Sequence, residues 1–268
     1  MTTMPASAAA ASTAQPHGGA NAFTRLNAVL RRELAGYFIT PVAYVFIVIF
    51  LLVIGLFTFN TRMGALFERG QADLRPFFMY HPWLYLFLIP AISMRLWAEE
   101  RRQGTLELLL TLPIPLWTAV LGKFLAAWAF TSIALTLTFP LWITINYLGD
   151  PDNGAIAAGY IGSLLMAGAY LAIGSCISAL TRNQVIAFVL TVVACFLFML
   201  PGLTGVGASL SGLLPQSAID TVSSFSFLMR FESISKGVID LRDVVFFLSV
   251  IAIFLFGTAA AVEAKKSG

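Results

Sequence analysis

The charged side chains that lie closest together in this sequence form one short stretch between two long apolar runs. Residues 99–102 are two acidic and two basic residues in a row, and Gly104, a leucine-rich turn and two prolines follow them. The stretch is too short to be a domain. Charges beside an apolar ridge suit docking into a groove of another protein. The alternative is an ordinary anchor loop.

The sequence lacks the motifs of catalytic sites and of nucleotide binding. Gly122-Lys123 is its one Gly-Lys pair, but Phe124 follows and no glycine-rich loop precedes it, so it is not a P-loop. His-Glu-x-x-His, Gly-x-Ser-x-Gly and Cys-x-x-Cys are also missing. We therefore expect that this chain is not an enzyme and does not bind ATP by itself.

Metal binding, disulfide bonding and nucleic-acid binding are not expected either. Cys176 and Cys195 lie inside apolar runs, where they suit packing between helices. His17 and His81 lack metal-ligand spacing, and His81 is expected to be an interfacial polar residue at a membrane boundary. The net charge of +3 comes without a basic block that would indicate nucleic acid.

The composition indicates that part of the protein surface faces lipid and not water. Of the 268 residues, 59% are hydrophobic and 11% are charged, and the mean hydropathy is +0.86. Soluble domains carry about 25% charged residues, and one of this size could not bury so much apolar surface. A β-barrel would show alternating segments of about 10 residues, which the sequence lacks. The predicted class is an all-α polytopic membrane protein.

Six apolar runs predict six transmembrane helices. A helix needs about 20 residues to cross about 30 Å of hydrocarbon, so the longest runs must tilt or protrude. Pro41 suits a first helical position. His81, Pro82 and Pro90 predict that the second span is kinked or short. The predicted spans are 42–59, 77–96, 117–147, 155–180, 185–203 and 244–262.

The segments outside these runs complete the predicted organisation. Residues 1–20 are rich in Ala, Ser, Thr, Pro and Gly and lack Lys and Arg, which favours a disordered cytoplasmic tail over a signal peptide. Residues 21–262 are the predicted transmembrane domain, and 263–268 are a cytoplasmic C-terminal tail. The segment 204–243 is predicted to be an external cap of short helices, with a re-entrant segment as the alternative.

An amphipathic helix is predicted before the first span. Five apolar residues spaced 3, 4, 4 and 3 apart share one helical face, and Arg25 and Arg32 lie on the other side. This pattern is typical of a helix lying in the membrane interface. A simple solvated helix start is the alternative. The predicted interfacial residues are Phe23, Leu26, Leu30, Leu34 and Tyr37.

The basic residues predict the orientation. Six spans place both termini on one side, and a cytoplasmic assignment puts ten of the 16 Lys and Arg residues inside, with a net charge of +5 inside and −2 outside. Both termini are therefore predicted to be cytoplasmic. Lys123 lies near the inner end of the third span and is expected to snorkel to water. The runs contain no Asp or Glu, which disfavours a proton-coupled carrier.

This orientation places residues 98–116 in the cytoplasm, between the second and third spans. Gly104 and Thr105 permit a sharp turn and a helix start. Glu107 would then lie in the first turn, where a negative charge suits the helix dipole. Two prolines end the short helix. The predicted docking residues are Glu99, Glu100, Arg101, Arg102, Gln103, Gly104, Thr105, Leu106, Glu107, Leu109 and Leu110.

Two segments resemble one transporter family. EERRQGTLELLLTLPI, at 99–114, resembles the cytoplasmic coupling segment of ABC-2 type transporter permeases. RRELAGYFITPVAYVFIVIF, at 31–50, is similar to the start of the gliding-motility-associated branch. The six-span layout extends the likeness to residues 21–262, whereas the tail has no counterpart.

The resemblance implies one half of an exporter in the bacterial cytoplasmic (inner) membrane. Two permease chains, identical or different, would pair with two separate ATPase subunits, which would bind ATP and Mg²⁺. The segment 98–116 would hold the coupling helix. Two other classes stay open: a non-transport membrane assembly or scaffold subunit of an ATPase-linked complex, and an ATP-independent carrier or channel.

Overall fold

The computed structural model describes residues 22–105, 115–203, 205 and 215–264. Over these residues the chain is helical and contains no strand, which confirms the all-α class. One 3₁₀ turn lies at Leu200–Gly202. The helices are α1 (Ala22–Ile39), α2 (Pro41–Phe59), α3 (Arg75–Met79), α4 (His81–Ser93), α5 (Arg95–Gln103), α6 (Leu116–Thr136), α7 (Phe139–Leu148), α8 (Asn153–Leu180), α9 (Gln184–Met199), α10 (Gln216–Ser224), α11 (Phe227–Ser235) and α12 (Leu241–Glu263).

Local sequence explains where several helices begin. Asp152, Asn183, Ser226 and Asp240 precede α8, α9, α11 and α12, and their side chains accept hydrogen bonds from backbone N–H groups of the first turn. These groups have no partner within the helix, so the caps fix the helix starts. Proline stands in the first turn of α2, α3, α4 and α7, where its missing N–H costs nothing.

Four helical segments of the described chain are long and apolar enough to cross a membrane: Leu116–Leu148, Asn153–Leu180, Gln184–Gly202 and Leu241–Glu263. They match the third to sixth predicted spans within a few residues. A fifth candidate is α1 together with α2, which meet at a bend of 73°. The chain is thus a multi-pass membrane protein, and these criteria give four or five spans, whereas the sequence predicts six.

The difference lies in the second predicted span. The chain from 75 to 103 is divided into α3, α4 and α5, of 5, 13 and 9 residues, by breaks at Tyr80 and Met94. A helix of 13 residues is about 20 Å long, which is too short to cross the hydrocarbon alone. The segment is interrupted as His81 and Pro82 predict, because the break at Tyr80 directly precedes them, whereas Pro90 lies inside α4 and the second break falls at Met94.

Helix α8 is the centre of the packed bundle. The small residues Gly159, Ser163, Ala167, Gly174 and Ser178 are all buried against the rest of the chain. A Cβ added to Gly159 would lie 2.6 Å from the ring of Phe78. The stripe of small residues therefore allows neighbouring helices to approach α8 closely within one chain.

The described part of the 204–243 segment contains α10 and α11. Helix α11 buries Phe227, Phe231 and Ile234, and it packs against α8. Arg230 in α11 donates to the buried carboxylate of Asp243 in α12, at 2.6 Å. The short helices predicted for this segment are thus present, and α11 is attached to the bundle by an apolar face and an ion pair.

His81 is not the interfacial residue that the sequence predicts. Its side chain is completely buried at the start of α4, and its ring centroid lies 4.5 Å from that of Phe77 and 5.4 Å from that of Tyr85. The aromatic side chains around it come from several helices, so its burial is a tertiary effect that a position at the end of an apolar run does not reveal.

Candidate functional site

The charged stretch 99–103 forms the last turns of α5. This helix begins after the break at Met94 and ends at Gly104, whose φ is +70°. The N–H groups of Gly104 and Thr105 both donate to the carbonyl oxygen of Glu100, which closes the helix end. A glycine suits this left-handed position because a side chain would be strained there.

The second half of the predicted docking segment lies outside the described residues. This applies to Leu106, Glu107, Leu109 and Leu110, and to the short helix predicted there. The structure therefore places the base of the segment, from Glu99 to Thr105, and the chain resumes at Pro115, directly before α6. The docking role of the apolar ridge stays a prediction.

A buried lysine joins the charged stretch to two other helices. The Lys123 ammonium in α6 lies 2.7 Å from Oε1 of Glu100 in α5 and 3.2 Å from Oε2 of Glu33 in α1. The side chain of Lys123 is 5% exposed, and those of Glu33 and Glu100 are 20% and 21% exposed. We call these three residues the ionic triad.

The expectation that Lys123 snorkels to water is wrong. Its ammonium is buried among carboxylates and also lies 5.5 Å from the centre of the Trp97 ring, within the range of a cation–π contact. A buried ammonium without partners would be strongly disfavoured, so the two carboxylates and the ring compensate for the lost water.

The electrostatics of the triad keep Glu33 charged. Burial on its own would raise the pKa of the Glu33 carboxyl, but Lys123 and Arg32 outweigh burial and hold this pKa below its ordinary value. Arg32 Nη2 donates to the other carboxylate oxygen, Oε1, at 2.6 Å. Glu33 therefore receives a cation on each oxygen and remains ionised at neutral pH.

The other charged residues of the stretch have separate roles. Glu99 accepts hydrogen bonds from Arg102 and Gln103 on the exposed side of α5. Arg101 reaches across to donate to the carbonyl oxygen of Ala179, at the C-terminal end of α8, where a cation suits the helix dipole. Of the four consecutive charges, Glu100 is thus the one in the ionic triad.

The start of α5 is bound to α8 by one hydroxyl. Ser178 Oγ accepts hydrogen bonds from the N–H groups of Trp97 and Ala98, at 3.1 and 3.0 Å, and donates to the carbonyl oxygen of Met94 at 2.9 Å. The indole N–H of Trp97 donates to Ser175 Oγ at 3.0 Å. Helix α8 thus supplies the cap that α5 lacks in its own sequence, and the two helices are fixed to each other.

Helix α1 packs along α6. Of its predicted interfacial residues, Leu34 and Tyr37 contact the protein core, and Tyr37 stacks on Phe130 with 5.1 Å between ring centroids. Leu26 and Leu30 are half-buried, whereas Phe23 is 77% exposed. The apolar face thus turns toward the chain's own bundle at its C-terminal end and is open at its N-terminal end.

Sequence reasoning missed Glu33, Lys123, Ser178 and Trp97 as members of one site. The signal for the triad was an isolated lysine in an apolar run, because such a cation requires counter-ions. The sequence did not indicate which carboxylates would supply them. The hydroxyls of α8 were visible only as small residues in a packing stripe.

The contacts of this site connect helices α1, α5, α6 and α8. Among the described residues, no group of three or more His, Cys, Asp or Glu side chains is placed to hold a metal ion.

A family model described as "ABC-2 family transporter protein" matches residues 72–266, which is most of the chain and includes Glu100 and Lys123. The comparison with curated proteins found no match.

Proposed function

Because the chain belongs to the ABC-2 family of transporter proteins, we propose that it is the permease subunit of an ATP-driven exporter in the bacterial inner membrane, with both termini cytoplasmic. ATP hydrolysis takes place in a separate ATPase subunit, since this sequence has no P-loop. A second permease chain, identical or related, completes the membrane part. We place the chain in the gliding-motility-associated branch from residues 31–50.

We further propose six crossings. In this arrangement α3, α4 and α5 together form the second span, because their combined length from 75 to 103 exceeds the roughly 20 residues that a crossing needs. Helix α2 forms the first span by itself, and α1 lies at the cytoplasmic interface, which the 73° bend between them supports.

The ionic triad is the observation that carries the coupling part of this proposal. An ATPase docked on the segment 98–116 can act on the transporter only through what that segment is attached to. Helix α5 leads into the segment, and Glu100 in α5 binds Lys123 in α6, which also binds Glu33 in α1. One displacement of α5 therefore acts on three helices at once.

A second connection runs from α5 into the bundle. Because Ser178 caps the start of α5, a movement of α5 is passed to α8, the most central helix. Arg101 adds a contact with the C-terminal end of α8. The cytoplasmic segment is thus attached both to the peripheral helices and to the core.

The test is whether the segment binds and stimulates an ATPase. Leu106→Asp places a charge in the proposed apolar contact, where an unpaired charge costs several kcal/mol. We expect this variant to insert normally, because insertion depends on the apolar runs. It should lose co-purification of the ATPase and the ATP hydrolysis of the complex reconstituted in vesicles.

Glu232→Gln, outside the segment, is the control, since its pair with Lys236 is exposed on both sides and such a pair contributes only about 0–1 kcal/mol. Its complex should hydrolyse ATP like the wild type. Full ATPase binding and activity in Leu106→Asp would reject the docking role and leave residues 98–116 as a surface anchor. Failure of any P-loop protein to co-purify with the wild type would argue for a carrier or channel.

A further inference from the structure

A cavity of about 220 Å³ lies beside the ionic triad. It is lined by residues of α1, α2, α4, α5 and α6, is open on one side and lies close to the bend between α1 and α2. Its volume is below the roughly 300–1,000 Å³ of pockets that hold whole drug-sized ligands. It is therefore large enough for a polar headgroup and the beginning of an apolar chain.

The cavity is polar at one end and apolar at the other. The apolar end is formed by side chains of α2, α4 and α6, including Ala43, Phe46 and Phe130. The charged residues that line the cavity are Glu33, Arg95, Glu99, Glu100 and Lys123. A wall with charges on one side and hydrocarbon on the other fits an amphiphile better than a fully polar solute.

Two groups at the polar end are left for a ligand. Among the residues that the structure describes, the Arg95 guanidinium has no hydrogen-bond or ion-pair partner. Glu100 uses Oε1 to bind Lys123, but its Oε2 is buried without a hydrogen bond. An unpaired buried polar atom is costly, so Glu100 Oε2 favours a ligand that donates a hydrogen bond, and the half-buried Arg95 guanidinium can bind an anionic group of the same ligand.

We propose that this cavity binds the headgroup of an aminophospholipid. The phosphate accepts hydrogen bonds from the Arg95 guanidinium, and the primary ammonium donates to Glu100 Oε2. The first part of an acyl chain lies along Phe46 and Phe130. A guanidinium matches phosphate by charge and by geometry. The proposed lipid site requires that the chain is embedded in a membrane, and it goes beyond the proposed transport function.

The proposed contacts predict different affinities for three phospholipids. Phosphatidylethanolamine carries both required groups. Phosphatidylcholine has the phosphate, but its methylated nitrogen has no N–H to donate. Phosphatidylglycerol has the phosphate and no cation. Free phosphoethanolamine carries both polar groups and lacks the chain, so it distinguishes a lipid site from a site for a small soluble phosphate.

The experiment is a titration of the purified full-length chain in detergent, followed by native mass spectrometry. We expect phosphatidylethanolamine to bind about tenfold more tightly than the other two lipids, since each charge-assisted hydrogen bond is worth about one order of magnitude. Free phosphoethanolamine should also bind about tenfold more weakly, because it lacks the apolar chain that contacts Phe46 and Phe130. Arg95→Gln should weaken the binding of phosphatidylethanolamine by about tenfold. Arg31→Gln, a change of the same type on the exposed side of α1, should not.

A second variant tests the cavity itself. Ala91 lines it, and Ala91→Phe should block it and abolish selective binding while the charges remain. Equal binding of the three lipids by the wild type would overturn the proposal, and so would unchanged binding in both Arg95→Gln and Ala91→Phe. Binding of free phosphoethanolamine as tight as that of the lipid would reject the lipid assignment. None of these outcomes depends on ATPase binding.

Discussion

The Lys123 ammonium lies 2.7 Å from the Glu100 carboxylate, with α6 on one side of the contact and α5 on the other. The two helices are joined in the chain by residues 104–115, the segment that resembles the coupling region of ABC-2 permeases. Both ends of that segment are thus held together by an ion pair at its base. A displacement at either end of the segment therefore acts on both helices through this ion pair.

Removing the ammonium should destabilise the protein. Lys123→Met leaves Glu100 largely buried without a counter-ion and leaves Glu33 with Arg32 alone, and breaking a buried pair in this way costs about 3–5 kcal/mol. We expect the lower end of this range, because both carboxylates keep some contact with water. The measurement is the unfolding midpoint of the purified chain in detergent, with Lys236→Met as the control.

The control pair is of the same type but exposed. Lys236 and Glu232 lie 2.7 Å apart in α11 with side chains 52% and 60% exposed, so Lys236→Met should cost at most about 1 kcal/mol. Combining Lys123→Met with Glu100→Gln should recover part of the lost stability. Equal effects of the two lysine changes would show that the triad is no more than a surface ion pair.

A methyl group on Gly174 should not fit. A Cβ there would overlap the Ser93 side chain, which is completely buried in α4. Such overpacking costs about 1–3 kcal/mol, and helix propensity favours alanine by up to about 1 kcal/mol. We therefore expect lower thermal stability for Gly174→Ala. Gly55→Ala, where a Cβ meets nothing within 4 Å, should be neutral or slightly stabilising, and the reverse order would contradict this packing.

Loss of the Ser178 hydroxyl should loosen α5. Ser178→Ala removes the acceptor for the N–H groups of Trp97 and Ala98, and leaving buried donors unsatisfied costs about 1–3 kcal/mol each. Hydrogen exchange at these two amides should become faster. Ser235→Ala removes a hydroxyl that bonds the Glu232 carbonyl in its own helix, and it should leave α5 unchanged. Unaltered exchange in Ser178→Ala would show that α5 is held by other contacts.

The proposed orientation is tested by labelling single cysteines in cells, after Cys176 and Cys195 are replaced by alanine. Asp150→Cys should react with an impermeant thiol reagent once the outer layer is permeable, because the 149–154 loop is assigned to the outside. Gln103→Cys and Glu263→Cys should react only after the inner membrane is opened. Labelling of Glu263→Cys from outside would falsify the cytoplasmic placement of the C-terminus.

The parts of the fold that depend on local sequence were predictable. Long apolar runs gave the last four spans within a few residues, and the proline-rich second run was correctly expected to be broken. The break at Tyr80 adjoins His81 and Pro82, but the break at Met94 could not be predicted, because Pro90 is accommodated inside α4. Such breaks depend on packing against other helices as well as on the residue itself.

The site was less predictable because its members are distant in sequence. Glu33 and Lys123 are 90 positions apart, and Trp97 and Ser178 are 81 apart. A lysine near the end of an apolar run can reach water or a carboxylate, and the tertiary fold decides which. The stretch 99–103 stood out by its charge density, yet Glu100 alone among its four charges joins the triad.

The ionic triad also constrains how related chains can diverge. A chain that keeps both carboxylates at positions 33 and 100 cannot easily lose the cation at 123, and an apolar residue at 123 favours neutral residues at both partner positions, most of all at 100, because Glu33 also binds Arg32. Single steps between these two states pass through an unfavourable intermediate. The three positions should therefore change together among homologues, as a correlated set that joins the N-terminal helix to the two helices on either side of the coupling segment.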